Sequence, residues 1–231
     1  TAETKLLDMT NAYAAFANEG RQHEPTLITS IEDKFDKTVY KYRPNDKKVM
    51  SKEASFITSS ILSDTNARGA TFSSLNIPGR QVAAKTGTTN DNKDAWTIGY
   101  SPSLSVGVWV GNNENKAMSG VAGASGAGPV WRNSMMAFLG DSEAEKFKIP
   151  SGINKILICG SGGRADRAGG GTYEEYFIRG TEPAGRCNVP REAPKEDKKK
   201  EDKEEEDKDK KEERPPVAEE PPVEENPPPA G

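Results

Sequence analysis

Between Gln81 and Gly111 three β-branched or aromatic runs follow one another with very little chain between them, at residues 81–88, 95–100 and 104–111. Connections this short leave no room for the crossover helix that a parallel pairing needs, so the runs predict an antiparallel meander. A meander has two faces to bury, and the flanking sequence supplies helices to cover them. The expected class is α+β, an antiparallel sheet packed with helices.

The helices are legible by spacing. Over residues 4–18, Leu6, Met9, Tyr13, Phe16 and Ala17 recur close to a helical period, and Gly20 is the expected stop. Ser51 can cap a second helix over residues 52–66, with Phe56, Ile57, Ile61 and Leu62 as its apolar face. Between them, "TLITSI" (26–31) and "TVYKYR" (38–43) read as a hairpin. After the meander comes the glycine-rich loop "MSGVAGASGAGP", then a helix opened by Pro129 and running to about Leu139. Residues 149–158 predict a strand ending near Cys159, and residues 160–171 an irregular glycine-rich segment.

Composition changes abruptly near Arg191. Residues 191–214 hold ten positive and twelve negative side chains, and residues 215–231 add four Glu and seven Pro. With the chain at −4 overall, residues 1–190 carry +2, which gives no electrostatic case for a nucleic acid partner. The tail has too little apolar surface to offset ordering entropy and is expected to be disordered, a solubilising or spacing segment. The chain reads as three parts: residues 1–145, 146–190 and the charged, Pro-rich 191–231.

Cys159 and Cys187 are the only cysteines, too few for a paired metal cluster; they either form one disulfide or stand as separate thiols. The single histidine, His23, sits in "EGRQHEP" and reads as an exposed loop residue, which argues against Ser-His-Asp or zinc chemistry. No run approaches a membrane span, and no signal segment opens the sequence. Because Thr1 leads straight into an amphipathic pattern, the chain is expected to be a piece of a longer polypeptide.

The chemistry concentrates in "AAKTGTTNDNKDAW". Lys85, Thr86, Gly87, Thr88 and Thr89 place an ammonium, hydroxyls and a residue without Cβ along one strand rim. A peptide laid on that rim finds main-chain partners, and its terminal carboxylate finds a cation. By alternation Lys85 and Gly87 share one face, and Thr86 and Thr88 the other. Trp96 and Trp109 read as core residues, and Asp94 as the residue that shapes the hairpin.

Lys-Thr-Gly is a signature of penicillin-binding proteins and serine β-lactamases. Its setting, "AAKTGTTNDNKDAWTIGYSPSLSVGVWVGN", together with "LLDMTNAYAAFANEG", "GAGPVWRNSMMAFL" and "YEEYFIRGTEPAGRC", resembles the transpeptidase domain of class A, bifunctional penicillin-binding proteins over about residues 3–187. The resemblance implies part of the penicillin-binding-protein and serine β-lactamase-like fold. It also implies a D,D-transpeptidase that cross-links peptidoglycan stem peptides through a serine acyl-enzyme and reacts with β-lactams. Lys85 is then the catalytic residue of this stretch, and Thr86, Gly87, Thr88 and Thr89 bind substrate. No metal or organic cofactor is implied. The location implied is the extracytoplasmic face of the bacterial cell membrane, held there only through an anchor upstream of this chain.

No serine in the chain has Lys three residues later, so the Ser-x-x-Lys nucleophile of such enzymes is not among these residues. "SLN" at Ser74–Asn76 matches Ser-x-Asn but stands too close to Lys85, and reads as coincidence. The expected function is therefore a transpeptidase fragment, inactive alone and marginally stable or prone to associate. The alternative is a non-catalytic module that binds cell-wall peptides or serves as a scaffold.

Overall fold

A computed structural model of the chain describes residues 3–189; the tail expected to be disordered lies outside them. Leu6–Ala17 forms α1, which ends where Glu19 and Gly20 turn left-handed. A Cβ on Gly20 would stand 2.6 Å from the Met50 carbonyl oxygen, so glycine alone lets the chain turn this close to its neighbour. Arg21–Gln22 (β1) then pairs with Lys47–Lys48 (β4). Between them Ser30–Glu32 (β2) and Thr38–Lys41 (β3) form the expected hairpin, shorter than the sequence runs and bulged between Ile31 and Glu32.

Lys52–Ser63 is α2, capped as expected by Ser51, whose hydroxyl accepts the Ala54 N–H at 3.1 Å. It stops at Ser63, before the expected end at 66, because Asp64 starts a new turn: its carboxylate accepts the N–H groups of Asn66 and Ala67 and opens Thr65–Arg68 (α3). The expected apolar face of α2 is only partly used. Phe56 is buried, but Ile61 is 65 % exposed, and two serines are buried in its stead. Ser55 Oγ donates to the Phe16 carbonyl at 2.7 Å, and Ser59 Oγ meets the Tyr100 hydroxyl at 3.0 Å. Small polar residues let α2 approach α1 and the sheet closely, and that orientation turns Ile61 outward.

The meander forms as its sequence predicts. Ala83–Thr88 (β5), Asp94–Tyr100 (β6) and Ser105–Gly111 (β7) pair in chain order, antiparallel, with Lys85 opposite Ile98 and Trp96 opposite Trp109. A turn of Ser73–Leu75 precedes the sheet; after it a π-turn, Gly123–Ala127, runs into Gly128–Leu139 (α4), so part of the expected glycine loop is helical. On one face Ala83 and Tyr100 join Phe56, Phe147 and Ile153, with Tyr13 and Phe16 of α1 packed against them. The Phe16 and Tyr100 rings stack at 6.1 Å. On the other, Ala84 and Val82 join Leu75, Ile77 and α4 residues Trp131, Met135 and Leu139. Ala83 and Ala84 thus serve opposite cores, as strand alternation requires.

Trp96 and Trp109, expected in the core, belong to neither cluster and are only half-buried. The fully buried tryptophan is Trp131. The two strand residues extend past the start of α1, where the sheet face opens into a cavity.

Ile153–Cys159 (β8), Arg164–Ala165 (β9), Thr172–Ile178 (β10) and Arg186–Cys187 (β11) make a second sheet, ordered β10-β8-β9-β11. β8 is the strand expected over 149–158 but starts four residues later, after a turn closed by the Ile153 N–H donating to Pro150 O at 3.0 Å, and β10 lies outside the expected elements. Cys159 and Cys187, left open by sequence, form a disulfide across 28 residues.

Candidate functional site

Among the described residues β5 is paired on one side only, with β6. Thr89 N–H donates to Asp94 O at 3.0 Å, which fixes the phase of the ladder. Every second residue from there, Gly87 and Lys85, turns its main-chain groups toward β6, and Thr86 and Thr88 turn theirs to the open edge. Two contacts agree with that phase: Val82 O accepts from the Arg68 guanidinium at 2.6 Å, and Thr86 O from Lys85 Nζ at 2.6 Å. The five candidate residues therefore form one continuous rim with outward amides at Thr86 and Thr88.

Their side chains divide as alternation predicts, with no bulge in the pairing of β5 to β6. Lys85 and Gly87 lie on the face toward α1, beside a cavity of about 220 Å³ that also touches Tyr13, Trp96 and Ile98. Thr86 and Thr88 lie on the face toward α4. The Thr88 hydroxyl accepts the Gly123 N–H at 3.0 Å, which leaves its own hydrogen free to donate. Gly87 has no side chain between the rim and Trp96, whose Cβ would be 3.5 Å from an added methyl.

Thr89 is spent on the turn. Its hydroxyl donates to Asp94 Oδ2 at 2.9 Å and accepts the Asp94 N–H at 2.8 Å. Asp94 Oδ1 accepts from Trp109 Nε1 at 2.8 Å, so both carboxylate oxygens are occupied and the residue is the hairpin brace expected of it. Within the turn Asp91 and Asn92 take φ of 61° and 52°, a region Asp and Asn tolerate better than most residues. A larger cavity, about 400 Å³, opens between this turn, the two tryptophans and Thr4 and Leu6.

Arg68 carries no local signal of its role. Its guanidinium reaches the Leu62 carbonyl at 2.5 Å, Asn76 Oδ1 at 2.7 Å and the open-edge Val82 carbonyl, tying the end of α2 to the approach of β5. Burial pulls its pKa below the ordinary arginine value, with Asp64 opposing. Asn76, the last residue of "SLN", is held in this clamp. His23 lies in another cavity, with Asn18, Arg21 and the turn at Pro102–Ser105, its Nε2 3.7 Å from Asp46. No helix among the described residues is long and apolar enough to cross a membrane.

The model of the penicillin-binding protein transpeptidase domain matches residues 5–136, more than half of the chain and all of the rim. The chain belongs to the penicillin-binding protein transpeptidase family. Penicillin-binding protein 2D of Bacillus subtilis is 32 % identical over 197 residues, covering 81 % of this chain and 28 % of its own length. Among solved structures, penicillin-binding protein 1A from Haemophilus influenzae superposes with a TM-score of 0.70 at 28 % identity, over 81 % of this chain and 34 % of that one. PonA1 of Mycobacterium tuberculosis, in complex with penicillin V, gives a TM-score of 0.55 at 30 % identity, over 64 % of this chain and 42 % of that one. The chain thus spans less than half the length of each protein it matches here.

Proposed function

We propose that the chain is the C-terminal portion of the transpeptidase domain of a class A, bifunctional peptidoglycan synthase, and that its rim binds the donor stem peptide. The carrying observation is the edge strand, with Lys85 on it and the Thr88 N–H turned outward. The division into transpeptidase residues 1–145, an extension at 146–190 and a tail at 191–231 belongs to the same proposal.

An extended peptide adds to the β5 edge through the main chain of Thr86 and Thr88. Lys85 supplies positive potential to the terminal carboxylate and to the attacking serine hydroxyl contributed from outside these residues. Thr86 and the free hydrogen of Thr88 donate to the same carboxylate, and Gly87 lets the peptide backbone approach. When the serine attacks the penultimate D-Ala carbonyl, negative charge grows on its oxygen, and the Thr88 amide is placed to stabilise it. Terminal D-Ala leaves, and the amine of a neighbouring stem takes the acyl group from serine and forms the cross-link. Thr89 acts by fixing the end of the strand. In this reading a β-lactam enters by the same edge; that the family member PonA1 forms a complex with penicillin V supports β-lactam binding. The Cys159–Cys187 disulfide favours an oxidising compartment, consistent with work outside the cytoplasm.

In the complete protein, Lys85→Ala should lower the acylation rate by a fluorescent penicillin by roughly 100-fold or more, the scale of removing an electrostatic stabiliser. Acylation at the parent rate would remove Lys85 from the mechanism and the rim from the site.

A further inference from the structure

The outward amide of Thr88 belongs to an edge strand, and an edge strand is free to twist unless something holds it. What holds this one stands behind it. Gly123, first residue of the π-turn, lies flat against the sheet: a Cβ there would be 2.6 Å from the Gly87 carbonyl oxygen and 2.7 Å from that of Trp96. Its N–H donates to Thr88 Oγ1 at 3.0 Å, and its carbonyl accepts from Thr97 Oγ1 at 3.0 Å. One residue thereby links the end of β5 to the middle of β6.

Thr97 makes the arrangement informative. It is fully buried, in a strand whose neighbours Ala95, Ile98 and Tyr100 are apolar or aromatic, and valine would fill the same volume without a hydroxyl to satisfy. Gly123 O is its hydrogen-bond partner. A π-turn, a rare form of backbone found frequently at functional sites, presents that carbonyl.

Taking the acyl-transfer reading of the edge as given, we propose that Thr97 and Gly123 are positioning residues for acylation, which hold Gly87 and Thr88 from behind so that the Thr88 amide keeps its aim. Neither touches substrate. Their effect falls on the reacting geometry more than on binding, because the peptide lies along the whole edge whereas the developing oxyanion depends on one amide.

The test uses the complete protein and a fluorescent penicillin, with the non-covalent dissociation constant and the acylation rate constant measured separately and the melting temperature recorded. Thr97→Val should lower the acylation rate constant roughly 10-fold, and Gly123→Ala roughly 100-fold, with the dissociation constant nearly unchanged. Thr97→Ser, which keeps the hydroxyl, should restore the parent rate. A folded Thr97→Val protein that acylates like the parent overturns the proposal, as does a loss that follows the unfolded fraction and is not rescued by serine. If Gly123→Ala does not fold, Thr97→Val and Thr97→Ser decide. A parallel Lys85→Ala separates the two levels: unchanged acylation there overturns the reading of the edge and this proposal with it. If Lys85→Ala abolishes acylation while Thr97→Val acylates normally, only the positioning role falls.

Discussion

The two main sheets of this chain keep their strands in place by different means. Strands β5–β7 lie between helices, with Tyr100 buried on one face and Trp131 against the other, so side-chain burial holds the sheet from both sides. In the C-terminal sheet β8 and β10 pair along seven residues, but β9 and β11 have two residues each, and a disulfide closes the segment that contains them. The candidate rim sits on the first kind of sheet. An edge that must present amides within a fraction of an ångström needs a backing that cannot yield, and close packing on both faces supplies it. A two-residue strand has too little surface for that, and a covalent link substitutes.

Removal of the packing should have the largest effect. Trp131 is wholly buried, its ring lies where a side chain on Gly99 would stand, and its Nε1 donates to Val106 O at 3.2 Å. Trp131→Ala should cost about 3–5 kcal/mol in denaturant unfolding. A loss under about 1 kcal/mol, far below that range, would mean that burial against α4 does not hold the meander.

Replacing both Cys159 and Cys187 by Ser should cost about 2–4 kcal/mol. The sharper reading comes from amide exchange: protection should fall in β9 and β11 and persist in β5–β7. Equal loss in both sheets would show that they are not separately held.

At the N-terminus of α2, Ser51→Ala removes one capping bond and should cost about 1 kcal/mol. No change in the melting temperature would indicate that packing on α1 fixes α2 without its cap.

At neutral pH Tyr100→Phe should cost no more than about 1 kcal/mol, the loss of one hydrogen bond. Its signature is at alkaline pH. Burial pushes the Tyr100 hydroxyl from 10.0 up to about 12, against the lowering influence of Ser59. The folded chain therefore holds a proton that the unfolded chain releases above pH 10. Tyr100 contributes its full share below that pH and loses it as pH rises toward about 12. The phenylalanine variant should lose less stability than the parent across this window; parallel curves would place the alkaline sensitivity elsewhere.

Much of the fold was legible because it rests on local periodicity. The spacing of Leu6, Met9, Tyr13 and Phe16, the Ser51 cap, Pro129 and the three runs at 81–111 each specify an element with little reference to the rest of the chain. What each face meets is not carried by local periodicity. Ile61 has the right period for a buried stripe but faces out, since Ser55 and Ser59 find partners across the interface. Trp96 and Trp109 have core chemistry, but the strand carries them beyond the helix that would cover them. β10 is rich in strand-forming residues, Thr172, Tyr173, Tyr176, Phe177 and Ile178, but its partner β8 follows from the tertiary structure alone.

The candidate rim divides in the same way. Sequence alone fixed its composition and its alternation, because strand geometry allows Lys85 and Gly87 only one side and Thr86 and Thr88 the other. It also fixed the likeness to penicillin-binding transpeptidases, which the family match bears out. Tertiary structure decided which edge is open, that Thr89 is spent on Asp94, and that Arg68, Thr97 and Gly123 brace the strand from positions 14 to 35 residues away from their partners. Periodicity records which way a side chain points, whereas a hydrogen bond across that distance depends on how the chain returns, and no local pattern encodes that.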